Sequence, residues 1–294
     1  MPNLIARKHL RRPCADLPGN SLCTLFQRQA RATWRLLATA RRRQCRVDEE
    51  TITNLNVLAF AGYKSQNFQI TSFSKRKERR TGGDWEIWFV DTTGRGCGVR
   101  IQAKVIDLSA DRFSHLHYKY PAKDGRPPNP EYQSDQLIQS CQQYAVWPMY
   151  CLYSTWPATA YRQCANQSCL LVPADYVSQN RSVKTLAELW HAATPWQVLV
   201  CCSPTHNQSL VQTAKAGIQK TISRPFEYGP SSKSGNADLR RFQYSFGDQL
   251  DVTLPPYVRN RITAGRVPVE SELESEDDDL APDVTTVILD KRQR

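Results

Sequence analysis

Asp84, Glu86, Gln102 and Lys104 fall at alternate positions of two strand-like runs in the stretch GGDWEIWFVDTTGRGCGVRIQAKVID, residues 82–107. Side chains alternate with period two along a strand, so each run has an apolar face and a polar one. Trp85, Ile87 and Phe89 lie opposite Asp84, Glu86 and Trp88. On the second run Val99, Ile101, Ala103 and Val105 lie opposite Arg100, Gln102, Lys104 and Ile106. The connection Asp91–Gly98, with three glycines and two threonines, suits a hairpin turn. A turn centred near Gly94 sets Asp84 opposite Lys104 and Glu86 opposite Gln102. Two carboxylates, an amide and an ammonium then share one sheet face, and such a set can hold a divalent cation and an attacking water.

Helices must bring further groups to that face. Leu22, Leu25, Phe26, Ala30, Trp34, Leu37 and Ala38 recur at helical spacing and predict a helix after Ser21, with Arg41, Arg42 and Arg43 at its end. Asp48 reads as the N-cap of a helix running to Gly62, with Glu49 and Glu50 in its first turn. Phe68–Phe73 reads as a strand, and the basic turn SKRKERR follows with Lys75, Arg76, Lys77, Arg79 and Arg80. Glu131–Tyr144 reads as a helix and Val146–Ser154 as a strand. Later, Ser182–His191 reads as a helix capped by Ser182, Trp196–Cys202 as a buried strand and Asn207–Thr221 as a helix. From Glu49 to Ser154 the expected order is helix, three strands, helix, strand. His115 and His117 read as a surface pair alternating on one strand face beside the hairpin.

The chain has 294 residues, 40% of them hydrophobic, which is long enough for a substantial core. Its formal net charge is +11, which favours a polyanion partner: nucleic acid first, an acidic membrane surface second. The charge is uneven. Residues 1–46 hold eleven Lys and Arg against Asp16 alone, and 270–279 are strongly acidic. Three regions are expected: a basic N-terminal arm and helix packed on the core (1–46), the main domain (47–262) and an acidic, disordered tail (263–294). No apolar leader precedes the ten cysteines and no run approaches the roughly 20 apolar residues of a membrane span. The expectation is a cytoplasmic protein without membrane contact, its cysteines mostly reduced and buried. Cys164 and Cys169 make half a zinc site at best. No dinucleotide loop, phosphate loop or nucleophile elbow occurs.

An acid on the first helix, an acid on the second strand and a carboxylate-or-amide, x, Lys tripeptide on the third resemble the PD-(D/E)xK restriction-endonuclease-like superfamily. The carrying residues are Glu50 (or Glu49), Asp84 and Gln102-Ala103-Lys104. Gln at the tripeptide's first position is similar to the Q-x-K branch that includes Mrr-type restriction nucleases. The combination EETIT, GGDWEIWF, RIQAK, YQSDQLI, PMYCLYS and LPPYV is similar to an uncharacterised bacterial family sharing an E-T-x-T…G-A-D-W-E-W-W…V-Q-A-K pattern.

The resemblance implies an α/β fold: an αβββαβ core whose mixed central sheet is flanked by helices, with further C-terminal α/β elements. It implies a hydrolase that cuts DNA with Mg²⁺ or Mn²⁺, in defence against foreign DNA. Asp84 would be the main metal ligand, joined by Glu50, Gln102 through its amide oxygen, and the backbone carbonyl after it. Lys104 would hold the attacking water or neutralise the phosphate. Glu86 points to the same face and could add a ligand, which the resemblance does not require, and Gln133 on the following helix stands where this fold often has a glutamine near the site. Lys75, Arg76, Lys77, Arg79 and Arg80, with Arg41, Arg42 and Arg43, would contact the phosphate backbone without reading sequence. DNA is the expected partner, with RNA and a homodimer left open. The rival reading is a catalytically silent nucleic-acid-binding module of the same fold, because Gln102 supplies no negative charge.

Overall fold

The structure, a computed structural model, describes residues 21–61, 68–69, 80–91, 94–122, 130–142, 146–155, 167–201, 209–228, 252–259 and 285–289. Its elements in chain order are α1 (Ser21–Arg43), α2 (Glu49–Ala61), β1 (Phe68–Gln69), β2 (Trp85–Val90), β3 (Arg95–Val105), α3 (Gln133–Gln142), β4 (Val146–Tyr153), β5 (Cys169–Pro173), α4 (Ala174–Gln179), α5 (Leu186–Leu189), β6 (Thr194–Pro195), α6 (Val198–Cys201), α7 (Leu210–Tyr228), β7 (Val252–Thr253) and β8 (Thr285–Leu289). The described strands form one mixed sheet in the order β1-β8-β2-β3-β4-β5-β6, with β7 on the end of β3. The molecule is thus α/β with a mixed sheet flanked by helices.

The expected order between Glu49 and Ser154 is present as α2, β1, β2, β3, α3, β4. β3 and β4 run parallel, which requires a crossover connection, and α3 supplies it. The pairing of β1 is less expected. β8 lies between β1 and β2, antiparallel to the first and parallel to the second. Residues 285–289, expected in a disordered tail, are therefore a strand inside the sheet. TTVIL is rich in β-branched residues, which suit a strand.

The β2–β3 hairpin turns one residue earlier than a centre at Gly94. Glu86 pairs with Arg100 and Trp85 with Ile101, which sets Asp84 opposite Gln102 rather than Lys104. The tip is closed by Asp91, whose carboxylate Oδ1 accepts from the Arg95 N–H at 3.0 Å while Gly94 takes φ 77°. Moving the centre by one residue shifts each partner by two, so every side chain keeps its face.

Both faces are covered. On the Ile101 face, α1, α2 and the turn leading into α6 meet β2 through the aromatic cluster Phe26, Phe60, Trp85 and Trp196, with ring centroids 4.9–6.3 Å apart. On the Arg100 face, α3 packs through Leu137 and Ser140. Gly82, at φ 67°, brings the chain into the start of β2 so close to α3 that a Cβ would meet the Leu137 nitrogen at 2.7 Å.

Other expectations change. Residues 198–201 are helical rather than a strand, because Val198, Leu199 and Val200 are buried on all sides and lack a strand's alternation. The helix expected from Ser182 begins after Thr185, which forms a capping box with Glu188. His115 and His117 lie in a turn, where the His117 ring Nε2 meets the Val183 carbonyl at 2.6 Å. Cys97, Cys141, Cys151 and Cys169 are buried and outside any disulfide, as expected, and burial pushes Cys141 up to about 12. Cys23 and Cys201 instead form a disulfide, since α1 and α6 pack side by side with these Cα atoms 5.1 Å apart. Cys164 lies outside the described residues. Among the described residues no helix is long and apolar enough to cross a membrane.

Candidate active site

Asp84 stands at the mouth of β2, where the chain leaves Gly82–Gly83 and its amide donates to the Ile101 carbonyl at 2.8 Å. Its Oδ2 accepts from the backbone N–H of Ala103 at 2.6 Å and from the Gln102 side-chain amide at 2.7 Å. The same Gln102 Nε2 lies 3.5 Å from Glu49 Oε1 and 3.1 Å from the Ala103 carbonyl. Lys104, only 5% exposed, brings Nζ to 3.3 Å from Glu49 Oε1. Asp84, Gln102 and Lys104 thus come from two neighbouring strands, and Glu49 from the first turn of the helix on the other face. The amide donor faces the carboxylates because two anionic acceptors surround it.

Gln133, at the start of α3, donates Nε2 to Gln102 Oε1 at 2.8 Å, which places it against the cluster as expected. Its own Oε1 is buried without a hydrogen-bond partner. Tyr150 pairs with Gln102 across β3–β4 and is fully buried, and its hydroxyl also lacks a partner. Burial first, then Tyr120, Asp84, Asp135 and Glu49, hold that hydroxyl well above the usual tyrosine range, so it stays a neutral donor. Buried polar atoms are normally paired, so these two point to a missing polar occupant, water or ion. Two carboxylates and the Ala103 carbonyl, oxygen groups of the kind a hard cation takes, surround the Gln102 NH₂, while the Gln102 oxygen faces Gln133. Among the described residues no group of three or more His, Cys, Asp and Glu comes together, because Gln102 takes the third place.

Several expected participants are placed differently. Glu49, rather than Glu50, meets Lys104 and Gln102, while Glu50 is an exposed neighbour on the helix. Glu86 is not at the cluster. It is fully buried in an ion pair with Arg100 (Nε to Oε2, 2.8 Å), and its Oε1 accepts from Trp88 at 2.5 Å and Tyr257 at 2.6 Å. With both oxygens committed and no solvent access, Glu86 is not a metal ligand. Arg41 is turned to Asp111 at 2.6 Å and Arg42 to Thr39 at 3.1 Å, while Arg43 is exposed. Of the basic turn, Arg80 is exposed, and Lys75, Arg76, Lys77 and Arg79 lie outside the described residues.

Tyr150 was missed by sequence reasoning. It sits in VWPMYCLY, an apolar run in which a tyrosine reads as core, and only the pairing with Gln102 brings it to the site.

The family model described as "Family of unknown function (DUF6615)" matches residues 22–293, and the chain belongs to this family. No curated protein matches it.

Proposed function

We propose that this member of the DUF6615 family is a metal-dependent nuclease that hydrolyses DNA phosphodiester bonds on a restriction-endonuclease-like core. One observation carries the reading: Asp84, Gln102 and Lys104 on adjacent strands converge with Glu49 within hydrogen-bond distance of one another. The order α2, β1, β2, β3, α3, β4, with β3 and β4 parallel, supports the fold assignment. The net charge of +11 supports a polyanionic substrate.

A divalent cation held here would lower the pKa of a bound water and offset charge on the phosphate. Asp84 and Glu49 supply the carboxylates, and Gln102 supplies Oε1 once its amide turns half a revolution. That turn sends the Gln102 NH₂ towards Gln133. Gln133 turns with it and offers the oxygen that now has no partner. Lys104 keeps its ammonium beside Glu49, where it orients the attacking water or stabilises the developing phosphate charge. Tyr150 offers a neutral O–H to the same space. The test is cleavage of plasmid DNA by the full chain with Mg²⁺ or Mn²⁺. Asp84→Ala and Lys104→Ala should each abolish cutting; variants that cut as well as the parent sink the mechanism.

A second reading has its own observation. The Gln102 NH₂ fills the space between Asp84 and Glu49, so the cluster is satisfied without an ion. A catalytically silent DNA-binding module would shift DNA in a gel with steep salt dependence and never cut it.

A further inference from the structure

Helix α1, SLCTLFQRQARATWRLLATARRR, carries six arginines, no lysine and no acidic residue. The arginines fall into two groups. Arg41, Arg42 and Arg43 fill the last turn, where a cation suits the negative end of the helix dipole, and Arg41 is paired with Asp111. Arg28, Arg31 and Arg35 stand in the middle of the helix, where the dipole gives them nothing. They have no acid on α1 to pair with. Arg31 and Arg35 are four apart and Arg28 and Arg31 three apart, spacings at which like charges repel. A face needed only for solubility is better served by both signs of charge interspersed. Here the helix tolerates self-repulsion instead.

All three arginines are exposed, as is Arg42. At the turn of an α-helix, Arg28, Arg31, Arg35 and Arg42 lie within an arc of roughly 60°, in a row about 21 Å long. Among the described residues Arg28 and Arg35 have no ion pair, and Arg42 donates to the uncharged Thr39 Oγ1 at 3.1 Å. The row is firmly mounted. The Cys23–Cys201 disulfide and the bond from Trp196 Nε1 to the Phe26 carbonyl, 3.0 Å, fasten the first half of α1, and the Arg41–Asp111 pair fastens its end. The link that follows leads to Glu49 of the cluster. A guanidinium fork matches two phosphate oxygens at once, which an ammonium cannot do.

The opposite face decides between polyanions. Leu22, Leu25, Phe26, Ala30 and Leu37 are buried in the core. A helix that lies on a membrane sinks its apolar side into the lipid, and that side of α1 is already taken. A fixed row of arginines without an apolar companion suits a duplex backbone, which carries one charge per about 1.7 Å of its axis.

We propose that the Arg28, Arg31, Arg35 and Arg42 face of α1 is a DNA-contact surface that grips the phosphate backbone of a duplex, in addition to the phosphate held at the cluster. Such contacts position the duplex and read no sequence. The choice of DNA rests on the nuclease reading; the charged face does not.

The test uses the full chain in EDTA, so that binding is read without cutting, and a labelled short DNA duplex titrated at salt concentrations from about 50 to 200 mM. Arg28→Gln, Arg31→Gln and Arg35→Gln together should weaken binding about ten-fold or more and lower the slope of log K against log salt by roughly 2–3. This triple variant should melt no lower than the parent, because it loses like-charge neighbours. Arg28→Lys, Arg31→Lys and Arg35→Lys together should keep the slope, since the charges remain. Arg112→Gln, Lys184→Gln and Lys220→Gln remove the same charge at exposed positions elsewhere and should change the slope by less than about one. A glutamine variant with the parent's affinity and slope, or a control set that weakens binding as much, overturns the proposal. So does tighter binding of an RNA duplex of the same length, or a parent that binds no DNA, whether or not it binds phosphatidylserine vesicles. A parent that binds DNA through α1 yet never cuts it with Mn²⁺ keeps the surface and refutes the nuclease reading. A parent that cuts, with a glutamine variant that binds and cuts equally well at every salt concentration, keeps the nuclease reading and refutes the surface.

Discussion

Replacing Gln102 with glutamate tests the cluster most directly. In the parent chain the amide donates to Asp84 Oδ2 at 2.7 Å and faces Glu49 Oε1 at 3.5 Å. Glutamate removes a hydrogen bond to a charged group, worth about 1.5–3 kcal/mol. It also sets a third carboxylate against two others. The repulsion is bounded, because the new carboxyl can take a proton and donate to Asp84 again. Holding a glutamate carboxyl neutral at pH 7 costs about 4 kcal/mol. Gln102→Glu should therefore lose roughly 2–4 kcal/mol at pH 7 in chelator, about 4–15 °C in melting temperature for a chain of this size. The new group has a folded pKa above its unfolded value. Its neutral form favours folding at low pH, so the deficit is absent below the ordinary glutamate range and grows as pH rises through neutrality. Mn²⁺ should restore the loss and raise the melting temperature above that of the parent at the same concentration, because three carboxylates bind a cation better than two and an amide. Thermal melts with chelator and with Mn²⁺, at acid and neutral pH, read all of this. A variant that melts with its parent in chelator, or gains nothing from Mn²⁺, refutes the geometry on which the site is built.

Glu86→Gln should cost about 3–5 kcal/mol in a denaturant melt by leaving Arg100 buried without its charge partner, while Mn²⁺ affinity of the folded fraction stays unchanged. Tyr150→Phe removes a buried hydroxyl without a partner, so the resting protein should melt at the same temperature or up to a few degrees higher, and DNA cleavage should fall. Burial, with Asp135 nearby, pushes the Asp175 carboxyl up to about 7, and its Oδ2 has no hydrogen-bond partner. Its neutral form favours folding, a contribution present below the usual aspartate range and lost as pH rises through 7. Asp175→Asn should therefore melt higher than the parent near pH 8 by up to a few degrees and match it near pH 4, which a pH series of melts reads directly.

Much of the site was legible because it rests on period-two alternation, which survives an error in register. The turn was set one residue late, yet Asp84, Gln102 and Lys104 stayed on one face, since the slip was two residues along β3. Residue type could not separate Glu86 from Asp84. Both are acids on the polar side of β2, and what divides them is a cover: α3 and the turn carrying Tyr257 close over Glu86 and Arg100 and leave Asp84 at the strand's mouth. The choice between Glu49 and Glu50 depended on the helix phase at the first residue, which composition does not fix. The Trp196–Cys202 run was read as a strand because a short apolar segment has no period to measure. The strand at 285–289 was hidden by the acidic run before it, which lowered the mean hydropathy of the whole region.

β8 hydrogen-bonds to β2, yet it lies about 200 residues later in the chain. During synthesis, the strand that begins at Trp85 must wait for that distant segment with one edge uncovered. An apolar edge left open is a template for other chains, so the nascent protein carries an aggregation hazard that the finished one does not. Such late closure also means that the hairpin acquires its final neighbour only once residue 289 has been made. The time at which the cluster becomes rigid is then set by the pace of translation as well as by the local sequence around it. Shortening the chain before residue 285 should leave β2 as a sticky margin, and an expression tag placed just after residue 289 should slow maturation more than one placed before residue 21.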